Sequence, residues 1–121
     1  MSVNGMHHTA ISTPNIERLM NFYKENFNCK DIDSRSQWEK GTNEIDQVLG
    51  LKGSSAKQGF LSCGNVMIEF FEYSSPKPQP MQENRPVNNH GHTHICFDVT
   101  NINKVYNCLL YTSDAADEER G

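Results

Sequence analysis

An internal echo constrains this chain more than any other feature. Laying residue 8 on residue 94, an offset of 86, matches His8 with His94, Asn15 with Asn101, Ile16 with Ile102 and Asn21 with Asn107, and sets Leu19 on Val105 and Met20 on Tyr106. Strand pattern falls on strand pattern and helix on helix, as expected of a duplicated supersecondary unit. In the first copy "MHHTAIST" alternates, with Met6, His8 and Ala10 on one face and Thr9 and Ile11 on the other. "PNIERLMNFYKENF" then changes period. Ile16, Leu19, Met20, Tyr23 and Phe27 recur at helical spacing, with Asn15 as N-cap after Pro14 and Asn28 in the left-handed position that ends the helix.

A second strand is expected over 30–36, followed by a polar connection in which 44–49 makes a helical turn. "KQGFLSCGNVMIEFFEY" reads as two strands joined tightly at Cys63, Gly64 and Asn65. Residues 6–73 are thus a strand-helix-strand-strand-strand module, and 74–91, which hold Pro76, Pro78, Pro80 and Pro86, are a linker. Residues 92–110 begin a second module: "HTHICFDV" as its first strand, then "NINKVYNCLL" as its helix, with Ile102, Val105, Tyr106 and Leu109 on one side. A full second copy runs past residue 121. The apolar pattern stops at Leu110, and residues 111–121 are expected to be a non-native or disordered tail. The fold class expected is α+β.

Composition narrows the functional classes. At 121 residues, 36% hydrophobic and 21% charged, the chain fits a modest globular fold. Its net charge of −4 comes mostly from Asp114, Asp117, Glu118 and Glu119, offset by Arg120, so the body is close to neutral. Lys and Arg are scattered, which argues against a nucleic-acid or anionic-membrane surface. No apolar run approaches a membrane span or a signal-peptide core. Cys29, Cys63, Cys96 and Cys108 lack a CxxC spacing, so reduced thiols in a cytoplasmic protein are expected rather than a disulfide framework.

Polar residues at apolar positions mark the candidate site. On the 65–73 strand Val66, Ile68 and Phe70 share one face and Met67, Glu69 and Phe71 the other. A carboxylate between Met67 and Phe71 is expensive to bury unless a cation or donor meets it. His8 shares its face with Met6 and Ala10, and His94 lies opposite Ile95, Phe97 and Val99 on the 92–99 strand. His8, Glu69 and His94, from separate strands, are the candidate metal ligands. Imidazole with carboxylate suits zinc or nickel, and also iron or manganese, and two His with one Glu leave positions open for catalysis. His7 points to the opposite face, and a local site from His90, His92 and His94 is strained. Alternate strand residues lie roughly 6–7 Å apart, too far for ligand bonds near 2 Å to converge.

"HHTAISTPNIERLMNFYKENFNCK" resembles the opening of the vicinal oxygen chelate superfamily, which includes glyoxalase I, methylmalonyl-CoA epimerase, extradiol dioxygenases, fosfomycin-modifying enzymes and bleomycin-resistance proteins. The marks are His8 on the first strand, Asn15 before the helix, Phe22-Tyr23 within it and Asn28 where Gly is common. "VMIEFFEY" is similar to the fourth strand, whose Glu is a ligand in glyoxalase I, and "HTHICFDV" to the first strand of the second module, whose ligand His corresponds to His94. The resemblance covers residues 6 to about 110.

It implies paired modules whose curved sheets close around a divalent metal, commonly in a homodimer, and a small-molecule substrate such as a glutathione or CoA conjugate. A fourth ligand, usually Glu, is implied at the same offset from residue 69, near residue 155. The leading expectation is a lyase or isomerase of glyoxalase I type, in which the metal stabilises an enediolate and Glu69 acts catalytically as base and then acid. Glu69 favours this type, since the epimerase usually has Gln there, whereas bacterial glyoxalases often carry Arg where this chain has Ser12. The alternatives are an epimerase-like or other superfamily enzyme, and a metal-free binding module like the bleomycin-resistance proteins.

Overall fold

The computed structural model describes the backbone of residues 1–120 and the side chains of residues 1–111. The chain divides into two units, Met1–Pro78 and Gln79–Gly121. The first holds β1 (His8–Ser12), α1 (Ile16–Phe27), β2 (Lys30–Asp31), β3 (Ser36–Trp38), α2 (Asn43–Leu49), β4 (Ser55–Cys63) and β5 (Val66–Ser75); the second holds α3 (Ile102–Arg120).

Local sequence explains α1 at both ends. Asn15 is extended, and its side chain accepts from the Arg18 N–H at 3.1 Å, while Asn28 closes the helix at φ 55°. A long-range cap adds to this, because the Glu72 carboxylate accepts from the Ile16 N–H at 2.9 Å and ties the helix start to β5. Ile16 and Met20 are buried, as are Leu61, Ile68 and Phe70 of the strands. The Tyr23 ring packs 5.6 Å from that of Phe70. This contact between helix and sheet is the centre of the core, on the sheet face toward α1.

The sheet runs β1-β5-β4-β2, with β3 also paired to β4. β1 is parallel to β5, and the remaining pairs are antiparallel. β4 and β5 are joined across Gly64 and Asn65, with Gly64 at φ 69°, a conformation that glycine adopts without a Cβ clash. The expected single strand over 30–36 is two short segments, β2 and β3, both laid along β4. The helical turn expected at 44–49 is the two-turn helix α2, capped by Thr42 and closed by Gly50 at φ 70°.

The thiol expectation is corrected by the register. Lys30 faces Ser62 and Asp31 faces Leu61, which sets Cys29 opposite Cys63. The two form a disulfide with Cα atoms 4.6 Å apart. That matches the close approach of a non-hydrogen-bonded antiparallel pair, about 4.5 Å. Cys96 and Cys108 take no part in this disulfide.

The second unit departs further from expectation. Residues 92–99 form no strand. An extended segment becomes a strand only when a neighbour takes its N–H and C=O groups; among the described residues this unit offers a helix and no strand. Arg85 organises the loop instead, donating to the carbonyls of Asn89, His90 and His92 at 3.2, 2.6 and 3.1 Å. The tail expected over 111–121 coincides with the C-terminal part of α3, which runs to Arg120; its side chains beyond Tyr111, and residue 121, lie outside the described residues.

Candidate metal site and its pocket

The sheet has two unlike faces, and the strand period assigns the residues to them. Ile68 and Phe70 point toward α1. Met67, Glu69, Phe71 and Tyr73 point the other way and are only half-buried. The antiparallel register adds Gln58 beside Phe71 and Phe60 beside Glu69 to that open face. Parallel pairing places His8 opposite Met67 and Ala10 opposite Glu69, so His8 and Glu69 are diagonal neighbours.

The geometry joins them. His8 Nε2 lies 3.4 Å from Glu69 Oε1, with side-chain exposures of 37% and 16%. The other carboxylate oxygen, Oε2, accepts from Gln58 Nε2 at 2.8 Å, and Gln58 Oε1 accepts in turn from the Ser36 hydroxyl at 2.8 Å. Glu69 is thus satisfied on both oxygens despite its apolar flanks, which removes much of the cost of its burial. Its negative charge is felt nearby: burial raises the Tyr73 phenol above its ordinary pKa, and the Glu69 carboxylate raises it further.

His8 is held from two more directions. Its ring meets that of Phe60 edge to face, with centroids 5.2 Å apart. His7 Nδ1 lies 2.6 Å from His8 Nδ1, one nitrogen donating and the other accepting. This corrects the assignment of His7 to the opposite face. β1 begins at His8, so strand alternation does not reach back to the His7 side chain.

Of the three expected ligands, the structure brings together His8 and Glu69. His94 belongs to the second unit, is exposed, and has Thr93 Oγ1 2.9 Å from its Nδ1. Among the described residues no group of three His, Cys, Asp or Glu side chains converges.

Beside Glu69 lies a cavity of about 380 Å³, lined by Trp38 and Phe71 on the sheet and by Ile45, Val48 and Leu49 of α2. Trp38 Nε1 donates to Ser54 Oγ at 2.9 Å, and the Ser54 hydroxyl donates to the Asp46 carboxylate. That hydroxyl, with the Gly53 and Ser54 N–H groups, holds the Asp46 carboxyl below its ordinary pKa, outweighing the opposing effect of partial burial. Gln58, Trp38 and Asp46 were missed from sequence. Strand alternation in "KQGFLSC" was the available signal for Gln58, since it puts that residue on the Phe60 side; Asp46 carried none.

A family model for the Glyoxalase/Bleomycin resistance protein/Dioxygenase superfamily matches residues 5–110. Among curated proteins no sequence match was found. A glyoxalase family protein from Bacillus cereus superposes with a TM-score of 0.80 at 18% identity, over 93% of this chain and 74% of its own. A mutant of the FosX fosfomycin resistance protein from Listeria monocytogenes, complexed with Mn(II) and 1S,2S-dihydroxypropylphosphonic acid, superposes with a TM-score of 0.60 at 15% identity, over 93% of this chain and 71% of its own. These likenesses establish a shared fold. With residues 5–110 matched by the family model, the chain belongs to the Glyoxalase/Bleomycin resistance protein/Dioxygenase superfamily.

Proposed function

We propose that His8 and Glu69 are ligands of one divalent metal ion in an enzyme that moves a proton adjacent to a carbonyl, a lyase or isomerase of glyoxalase I type. The observation that carries this reading is the 3.4 Å separation of His8 Nε2 and Glu69 Oε1. Two ligand atoms about 2.1 Å from a common ion at the tetrahedral angle lie about 3.4 Å from each other. The donor set suits zinc or nickel, with iron and manganese also compatible. When bound, such an ion supplies Lewis-acid stabilisation to negative charge developing on two adjacent substrate oxygens.

The chain's own residues do the rest. Glu69 is also the acid-base group, and Gln58, donating to its Oε2 at 2.8 Å, steadies the carboxylate. His7 and Phe60 fix the His8 ring, which orients its Nε2. His94 is proposed as a further ligand, with the remaining shell drawn from water, substrate or a partner subunit in a homodimer. A glutathione conjugate is the leading substrate class, and a CoA thioester the alternative.

A metal-free binding module is the second reading. It is favoured by the completeness of the Ser36–Gln58–Glu69–His8 network, which satisfies Glu69 without an ion. Elemental analysis of the purified protein separates the two. The enzyme reading expects about one equivalent of transition metal, lost in His8→Ala and weakened in His94→Ala; absence of metal at all three would overturn it. Glutathione-dependent turnover of methylglyoxal tests the glyoxalase type, and activity on acyl-CoA alone would move the assignment to the epimerase type.

A further inference from the structure

The Cys29–Cys63 pair sits where little else fastens the chain. Cys29 follows α1 directly, with its N–H on the Tyr23 carbonyl at 3.4 Å, and Cys63 ends β4; the two are 4% and 8% exposed. Next to Cys29, β2 makes two ladder pairs with β4, and both of its residues are exposed. Such an element opens before the core does. Arg35 lays its stem across Gly59, where a Cβ would stand 2.6 Å from its Cδ, and pairs with Glu17 of α1. An ion pair this exposed contributes little. The disulfide is therefore the main hold on the Cys29 end of this strip.

The other end of the strip reaches the proposed metal site. β3 lies on the same edge of β4 as β2, with Ser36 opposite Gln58, and the Ser36 hydroxyl donates to Gln58 Oε1 at 2.8 Å. An amide has a donating and an accepting end. With Oε1 taken by Ser36, Nε2 is the end turned to Glu69 Oε2. Freeing Cys29 lets the strip peel from β4 toward Ser36 and loosens the orientation of that amide. Trp38, the chain's only tryptophan, ends β3 and reports the movement.

We propose that Cys29–Cys63 is a reversible redox site read out at Glu69 through Ser36 and Gln58, with a small thiol of the glutathione class as reductant; the link to Glu69 rests on the functional reading above. A glutathione thiolate attacks one sulfur, the S–S bond breaks, a mixed disulfide forms and the departing sulfur takes a proton. A second thiolate attacks the glutathione sulfur of that mixed disulfide, releasing the other cysteine as a thiol and leaving glutathione disulfide. The reverse exchange restores the pair. Attack needs access, which burial denies and opening of β2 grants.

The test adds reduced glutathione to the full-length chain at a series of urea concentrations below the unfolding transition. Reduction by local opening has a urea slope well under the equilibrium m value; a slope equal to m makes the disulfide purely structural and overturns the redox site. Reduction should also shift Trp38 emission while far-UV circular dichroism holds, and unchanged emission would mean that the strip stays in place, which overturns the relay. Zinc affinity is then compared between oxidised parent and Cys29→Ala/Cys63→Ala, a variant without thiols that would themselves bind the ion. The variant should bind about three-fold weaker or more, short of the 10- to 100-fold typical when a ligand's partner is lost outright. In a Gln58→Leu background the difference should vanish. Equal affinities, or a difference that persists in that background, overturn the relay. Absence of zinc binding in either form, with local reduction and the emission shift intact, would sink the metal reading and leave the redox site standing.

Discussion

Replacing Gln58 by leucine isolates the outer support of the proposed metal site. Gln58 is 9% exposed, and leucine nearly matches its volume, so packing changes little. What disappears is the 2.8 Å hydrogen bond to Glu69 Oε2. Hydrogen bonds to charged groups contribute about 1.5–3 kcal/mol, and loss of a ligand's hydrogen-bonded partner typically weakens metal binding about 10- to 100-fold. At about 1.4 kcal/mol per decade, that loss of affinity is about 1.4–2.8 kcal/mol, so the two scales agree. Ser36 is exposed and exchanges its lost acceptor for water, which keeps the perturbation local. The assay is calorimetric titration of apo protein with zinc against a competing chelator, with urea unfolding run in parallel. Zinc affinity should fall by that factor, with unfolding free energy reduced by about 1–3 kcal/mol through the unpaired Oε2. A folded Gln58→Leu protein that binds zinc as tightly as the parent would refute the claim that Gln58 orients the carboxylate.

Three further outcomes are expected. Phe70→Ala removes a ring with no exposure at the centre of the α1 contact and should cost about 3–5 kcal/mol in urea unfolding; a loss below 1 kcal/mol would mean the helix does not depend on that face. Reducing Cys29–Cys63, which closes a separation of 34 residues, should lower unfolding free energy by about 2–4 kcal/mol, and a midpoint indifferent to reductant in parent and Cys29→Ser alike would contradict the pairing. The Asp46 carboxyl titrates lower in the folded chain than unfolded, chiefly through the Ser54 hydroxyl, so its contribution is complete above the ordinary Asp pKa of about 3.9 and fades as pH falls through the folded value. Parent stability should therefore drop more steeply than that of Asp46→Asn between about pH 5 and pH 2, and parallel curves would remove the linkage.

The first helix was fully legible in the sequence because its determinants are local. Apolar period, Asn15 at one end and Asn28 at the other act within a few residues of each other. The same holds for the turn at Gly64 and Asn65 and for the two faces of β5, where alternation alone put Glu69 among Met67 and Phe71. The superfamily resemblance drew on these short-range signals.

Register decided what composition and spacing did not reach. Cys29 meets Cys63, Gln58 meets Glu69, and His8 comes diagonal to Glu69 because particular strands lie beside β4 and β5 at particular offsets. The Asp46–Ser54–Trp38 relay likewise joins three elements that no periodicity relates. Residues 92–99 make the same point in reverse: their alternation is that of a strand, yet their backbone is irregular. A helix completes its hydrogen bonds within its own segment, so sequence by itself determines it. A strand's bonds belong to its neighbour, and only the tertiary structure decides whether and where that neighbour stands.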